Sequence, residues 1–168
     1  MCGIVGLFLK DPTLEPMLGD MLTDMLVTMT DRGPDSAGIA IYGAETNGNA
    51  KLTVQSDTPD ADFSKLDNDL RKLVKGKVEM STKDTHAVLE MQADQLDIAR
   101  AALSNLRPNV RVMSRGDTLE IYKEVGLPKD VASRFDVRTM SGTHGIGHTR
   151  MATESAVTTM GAHPFNTG

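Results

Sequence analysis

The sequence predicts an α+β fold with mainly antiparallel sheet, on three observations. Short β-prone runs and helical stretches alternate irregularly. Asn47-Gly48 is a strong hairpin signal, and no regular βαβ phosphate-loop fingerprint is present. With 168 residues, 39% of them apolar and 24% charged, the chain is one globular domain's worth and long enough to bury a core.

Taken in order, CGIVGLFL (2–9) reads as a buried strand closed by Asp11-Pro12. Leu14, Met17, Leu18, Met21, Leu22, Met25, Leu26 and Met29 then recur at three and four, the spacing of an amphipathic helix. Thr13 is its candidate N-cap, and the Met stripe is expected in the core. DRGPDSAG (31–38) is a loop of turn formers, GIAIY (38–42) a strand, and KLTV (51–54) the strand returning from the Asn47-Gly48 turn. Residues 56–62 look loop-like, and SKLDNDLRKLV (64–74) reads as a short helix. THAVLEM (85–91), NVRVMS (109–114) and TLEIYKEV (118–125) read as strands, DQLDIARAALSNL (94–106) and PKDVASRF (128–135) as helices. THGIGHTRM (143–151) is the last expected strand.

Charge and composition exclude several classes. A net charge of −5 argues against a nucleic-acid or anionic-membrane partner. No run approaches the roughly 18 apolar residues of a membrane span. The first twenty residues lack a basic n-region and soon carry Lys10, Asp11 and Glu15, against a signal peptide. A single Cys forms no internal disulfide, which suits a reducing cytoplasm. Four His and one Cys without HxxxH or CxxC spacing suggest no metal site, and no cofactor motif is present.

The single Cys stands at position 2. Aminopeptidase removal of Met1 would leave its α-amine, with a reference pKa of about 7.7–8.0, beside its own thiol. Nucleophile and base would then come from one residue. The residues alone also allow Cys2 to be a small apolar strand residue. Arg150 has the planar fork that suits a carboxylate, although a lone Arg can equally be a surface charge. Arg32 and Asp35 lie in a run of turn formers and fit either a polar network that orders the loop or a simple turn with a helix C-cap.

MCGIVG, DRGPDSAGIAIYG, GIGHTRMATES and AHPF, in that order, resemble the glutaminase domain of class II glutamine amidotransferases, which are N-terminal-nucleophile hydrolases. The resemblance covers about 2–43 and 143–165. It implies an αββα sandwich over 1–168 and hydrolysis of L-glutamine to glutamate and ammonia through a thioester on Cys2. It further implies ammonia delivery to a synthase domain or subunit. Arg150, Thr153 and Glu154 would bind substrate. Arg32, Asp35 and His163 would build the site, with His148 and His163 as wall residues rather than bases.

Two departures stand out. Relatives carry an Asn-Gly oxyanion pair shortly after the HP motif and an acidic residue further on, both beyond Gly168 here. The resemblance thus implies a fragment, with an oxyanion donor typically worth about 100- to 1,000-fold in rate. Roughly 100 residues separate DSAG from GHTR, so a β-α-β-β segment at 85–135 is expected as an insertion that docks a partner. Stand-alone glutaminase subunits of glutamate-synthase-like complexes, such as that of N-methylglutamate synthase, have this kind of opening. The competing class is a non-catalytic amidotransferase-like binding or scaffolding subunit.

Overall fold

The computed structural model describes residues 2–44, 46–152 and 156–166. In chain order the elements are β1 (Gly3–Phe8), α1 (Leu18–Thr28), β2 (Ser36–Tyr42), β3 (Asn49–Gln55), α2 (Pro59–Asp62), α3 (Leu66–Leu70), β4 (Glu79–Lys83), β5 (His86–Gln92), α4 (Leu96–Leu106), β6 (Arg111–Gly116), β7 (Leu119–Val125), α5 (Pro128–Arg134) and β8 (His144–Arg150). They form two four-stranded sheets, and β1–β8, β2–β8, β3–β5, β3–β6 and β4–β5 all pair antiparallel. Mixed α and β with antiparallel sheets is what the sequence predicts.

The chain divides into two compact units. The first comprises Met1–Ala44 and Ile121–Phe165 and holds a sheet of order β1-β8-β2-β7. α1 covers one face of it. Leu18, Leu22 and Leu26, four residues apart, are fully buried. The methionines lie one position behind this stripe, and Met17 is 50% exposed. The leucines therefore fill the core and the methionines flank it, contrary to the expectation from the Met repeat. The helix also starts later than expected. Pro12 and Pro16 hold Pro12–Met17 in a 3-10 turn, and Asp11 rather than Thr13 caps it, accepting from the Thr13 N–H at 3.0 Å.

β1 is an edge strand with one face open, not a buried one. Alternation puts Gly3, Val5 and Leu7 toward α1 and leaves Ile4 and Phe8 65% and 66% exposed on the other face.

The Asn47-Gly48 turn forms as its sequence dictates. φ is 48° and 91° at the two residues, and the Asn49 N–H donates to the Thr46 carbonyl at 3.1 Å. It does not join a hairpin, however. β2 pairs with β8 and β7, whereas β3 pairs with β5 and β6. Turn chemistry sets a local reversal of the chain, but which strands pair depends on distant partners.

The second unit comprises Glu45–Glu120 and Asn166–Gly168, with sheet order β4-β5-β3-β6. Leu52 and Val54 of β3, Leu89 of β5, Leu66 and Leu70 of α3 and Leu103 of α4 share one core. Arg107 ties α4 to the α2–α3 connection, donating to the Asp62 and Ser64 carbonyls and pairing with Asp69 at 2.9 Å. The polar edge strand β4 carries no sequence signal because its residues are largely exposed. Residues 56–62, expected as loop, include the single turn α2. The main stretch of this unit runs from Glu45 to Glu120, whereas α5, inside the 85–135 segment, lies in the first unit. Among the described residues no helix is long and apolar enough to cross a membrane.

Candidate active site

The β1–β8 register brings the two motif ends together. Gly3 stands opposite Thr149 and Ile4 opposite His148. β1 begins at Gly3; continued one residue further, this register would set Cys2 opposite Arg150, on the face that carries Ile4 and His148. Cys2 is a free, exposed thiol. That face is the one α1 leaves uncovered.

The DRGPDS motif grips the end of β8. Ser36 pairs with Arg150 in register, and Pro34 forms an isolated bridge to it. The Asp35 N–H donates to the Arg150 carbonyl at 3.1 Å, and its carboxylate accepts the Ala152 N–H at 2.8 Å. Its carbonyl accepts from Gly126 at 3.0 Å. Asp35 thus spends its N–H, its carbonyl and its carboxylate on holding this corner. Gly33 permits the approach, since a Cβ there would lie 2.5 Å from the Arg150 nitrogen and 2.6 Å from the Thr149 carbonyl carbon. Arg32 is exposed, and among the described residues no hydrogen bond or ion pair reaches its guanidinium, so it takes no visible part in this grip.

His163 lies on the same face. Its ring is 4.4 Å from that of His148 and 4.6 Å from that of Phe165. Its carbonyl passes so close over Gly38 that any Cβ there would overlap it. Burial, then the neighbouring His163, pushes the His148 imidazole below its ordinary pKa. Burial, then the Lys123 ammonium and the Arg150 guanidinium, does the same to His163. Both rings are therefore biased toward neutrality. Thr153 and Glu154 lie outside the described residues. Among the described residues no group of three or more His, Cys, Asp or Glu could hold a metal ion.

Sequence reading missed two contributors. Gly33 acts by backbone contact across the fold, which no local pattern marks. Lys123 sits in a run that reads only as strand, yet it is 3% exposed and its Nζ donates to the Ala162 carbonyl at 2.9 Å.

The strand register and the DRGPDS clamp gather the ends of the sequence motifs at one corner of the sheet. The chain is 64% identical over 169 residues, its whole length, to the glutamine amidotransferase-like protein GlxB of Rhizobium meliloti. It is 33% identical over 178 residues, 98% of this chain, to a putative glutamine amidotransferase of Methanothermobacter thermautotrophicus. A shorter match of 60 residues, 43% identical, covers 35% of this chain and 9% of glutamine–fructose-6-phosphate aminotransferase (isomerizing) of Methanosarcina acetivorans. No protein-family model matches the chain. The first two likenesses support a glutamine amidotransferase family. The chain spans about half of those relatives, 56% of each.

Proposed function

We propose that the full-length protein is a class II glutamine amidotransferase that works in the cytoplasm with a mature chain beginning at Cys2. The observation that carries this reading is the β1–β8 register, with Gly3 opposite Thr149, which places the segment that begins at Cys2 beside the end of β8 that carries Arg150. The Cys2 α-amine takes the thiol proton, and Sγ attacks the side-chain amide carbon of L-glutamine. The C–N bond breaks, the amine returns the proton to the leaving nitrogen, and ammonia departs from a γ-glutamyl thioester. Water then attacks the thioester carbonyl, and glutamate leaves with the thiol restored.

Arg150 holds the substrate α-carboxylate as a bidentate fork, and Thr153 and Glu154, on the following segment, add polar contacts. Asp35 and Gly33 keep Arg150 in place. Ammonia passes to a synthase domain or subunit, as in a glutamate-synthase-like complex, and the segment within 85–135 docks that partner. The exposed Ile4 and Phe8 suit a sheet face that takes a second layer, as an αββα N-terminal-nucleophile sandwich requires.

Arg150→Lys tests the recognition step in the full-length protein. It keeps the charge but loses the fork, so KM for glutamine rises markedly while reaction of a simple amide lacking the α-carboxylate stays nearly unchanged. Equal losses on both substrates would mean that Arg150 supports the fold and not the substrate.

A further inference from the structure

The described ion pairs leave one buried cation without a carboxylate. Lys123 projects from β7, the edge strand beside β2, onto the face where Gly38 makes room for the His163 carbonyl. Among the described residues its ammonium has two partners, both in one chain segment. It donates to the Ala162 carbonyl at 2.9 Å and lies 4.3 Å from the centre of the Phe165 ring. Ala162 is fully buried, so its carbonyl has no access to water in place of this bond. A buried lysine needs such compensation, and here burial lowers its pKa to about 8. The neighbouring residue of β7, Glu124, accepts a hydrogen bond from the Thr159 hydroxyl. Two consecutive side chains of one strand therefore hold the two ends of the segment 158–165.

That segment borders the candidate site at two points. A Cβ at Gly161 would lie 3.4 Å from an Arg150 guanidinium nitrogen, so the backbone at 161 backs the fork. The His163 ring rests on His148. If Ala162 moved, both contacts would move with it.

We propose that Lys123 is a positioning residue whose ammonium seats the segment 158–165 against His148 and Arg150 and so shapes the wall of the glutamine site. The link to glutamine rests on the function proposed above; the seating of the segment does not. Lys123 touches no substrate and acts through Ala162 and Phe165. The charge itself is required, because the apolar stem alone reaches neither the carbonyl as a donor nor the ring as a cation.

The test compares wild type, Lys123→Met and Phe165→Leu in the full-length protein. Met keeps the stem and removes the ammonium; Leu at the exposed Phe165 removes only the ring. Amide hydrogen exchange is followed at 159–165 and, as reference, in β1, β2 and β8, and glutamine KM and kcat are measured. In Lys123→Met, exchange at 159–165 speeds up by about tenfold or more with the reference strands unchanged, and KM rises by about tenfold with kcat much less affected. Phe165→Leu shifts both readouts in the same direction by less. Unchanged exchange at 159–165 in Lys123→Met overturns the proposal. So does a uniform rise that includes the reference strands together with no local change in Phe165→Leu, because Lys123 would then serve only global stability. If exchange responds locally but KM does not, the shaping of the glutamine wall is overturned. A wild type that does not turn over glutamine refutes the proposed function, and the exchange comparison still decides whether Lys123 seats the segment.

Discussion

Gly33→Ala is the sharpest perturbation of the clamp on β8. At φ −168° the Gly33 backbone is extended and open to any residue, so the substitution introduces no dihedral strain. Its effect comes from contact alone. The new Cβ would sit 2.5 Å from the Arg150 nitrogen, 2.6 Å from the Thr149 carbonyl carbon and 2.8 Å from the Arg150 carbonyl carbon. Ordinary contact begins near 3.4 Å, so the strand end and the loop must part by close to 1 Å. All three neighbours are backbone, and none can rotate aside. Overpacking of this kind typically costs about 1–3 kcal/mol. A displacement of about 1 Å at a substrate-positioning residue can cost on the order of 100-fold in rate. Urea denaturation and glutamine kinetics on the full-length variant read the two effects separately. Stability within about 0.5 kcal/mol of wild type together with unchanged kcat/KM would refute the idea that Gly33 sets the position of Arg150.

Asp35 offers a second route to the same corner. Asp35→Ala strips the acceptor from the Ala152 N–H and should lower stability by about 1–3 kcal/mol in denaturant titrations while raising KM for glutamine. Asp35→Asn keeps an acceptor oxygen and should lose less; equal losses would show that the carboxylate oxygen is not what matters. The imidazole pair predicts an acid sensitivity. Both folded pKa values lie below the ordinary histidine value of 6.5, so the unfolded chain binds more protons in the window below it. The stability the neutral rings contribute is complete above pH 6.5 and is lost as pH falls through the lowered folded values. Midpoints for wild type and His148→Gln measured across pH 7 to 5 should converge toward acid. Parallel curves would count against the coupling.

Much of the candidate site is proposed from the sequence because its residues are chemically unusual for where they stand. Cys2 at the chain start, Arg150 in GHTRMAT and Asp35 in DRGPDS announce themselves. The strands other than β4 and the longer helices follow from apolar runs and spacing, and the antiparallel character follows from their irregular order. Pairing was not legible. Asn47-Gly48 marks a true turn, but β2 pairs with β8, about a hundred residues away at His144–Arg150 and beyond a second sheet's worth of chain. The α1 register misled because Met and Leu score alike as apolar, and only the tertiary contact decides which stripe turns inward. Gly33 and Lys123 are significant only through contacts more than thirty residues distant, to Arg150 and Ala162. Local composition carries no trace of such contacts.

The central claim is that Cys2 is an N-terminal nucleophile for glutamine. Mass spectrometry of the full-length protein treated with 6-diazo-5-oxonorleucine, a glutamine-mimicking electrophile, tests it most directly. The expected result is a single adduct on a chain that begins at Cys2, blocked by excess glutamine and absent from Cys2→Ala. An adduct on any other residue, or an active protein that retains Met1, would contradict it.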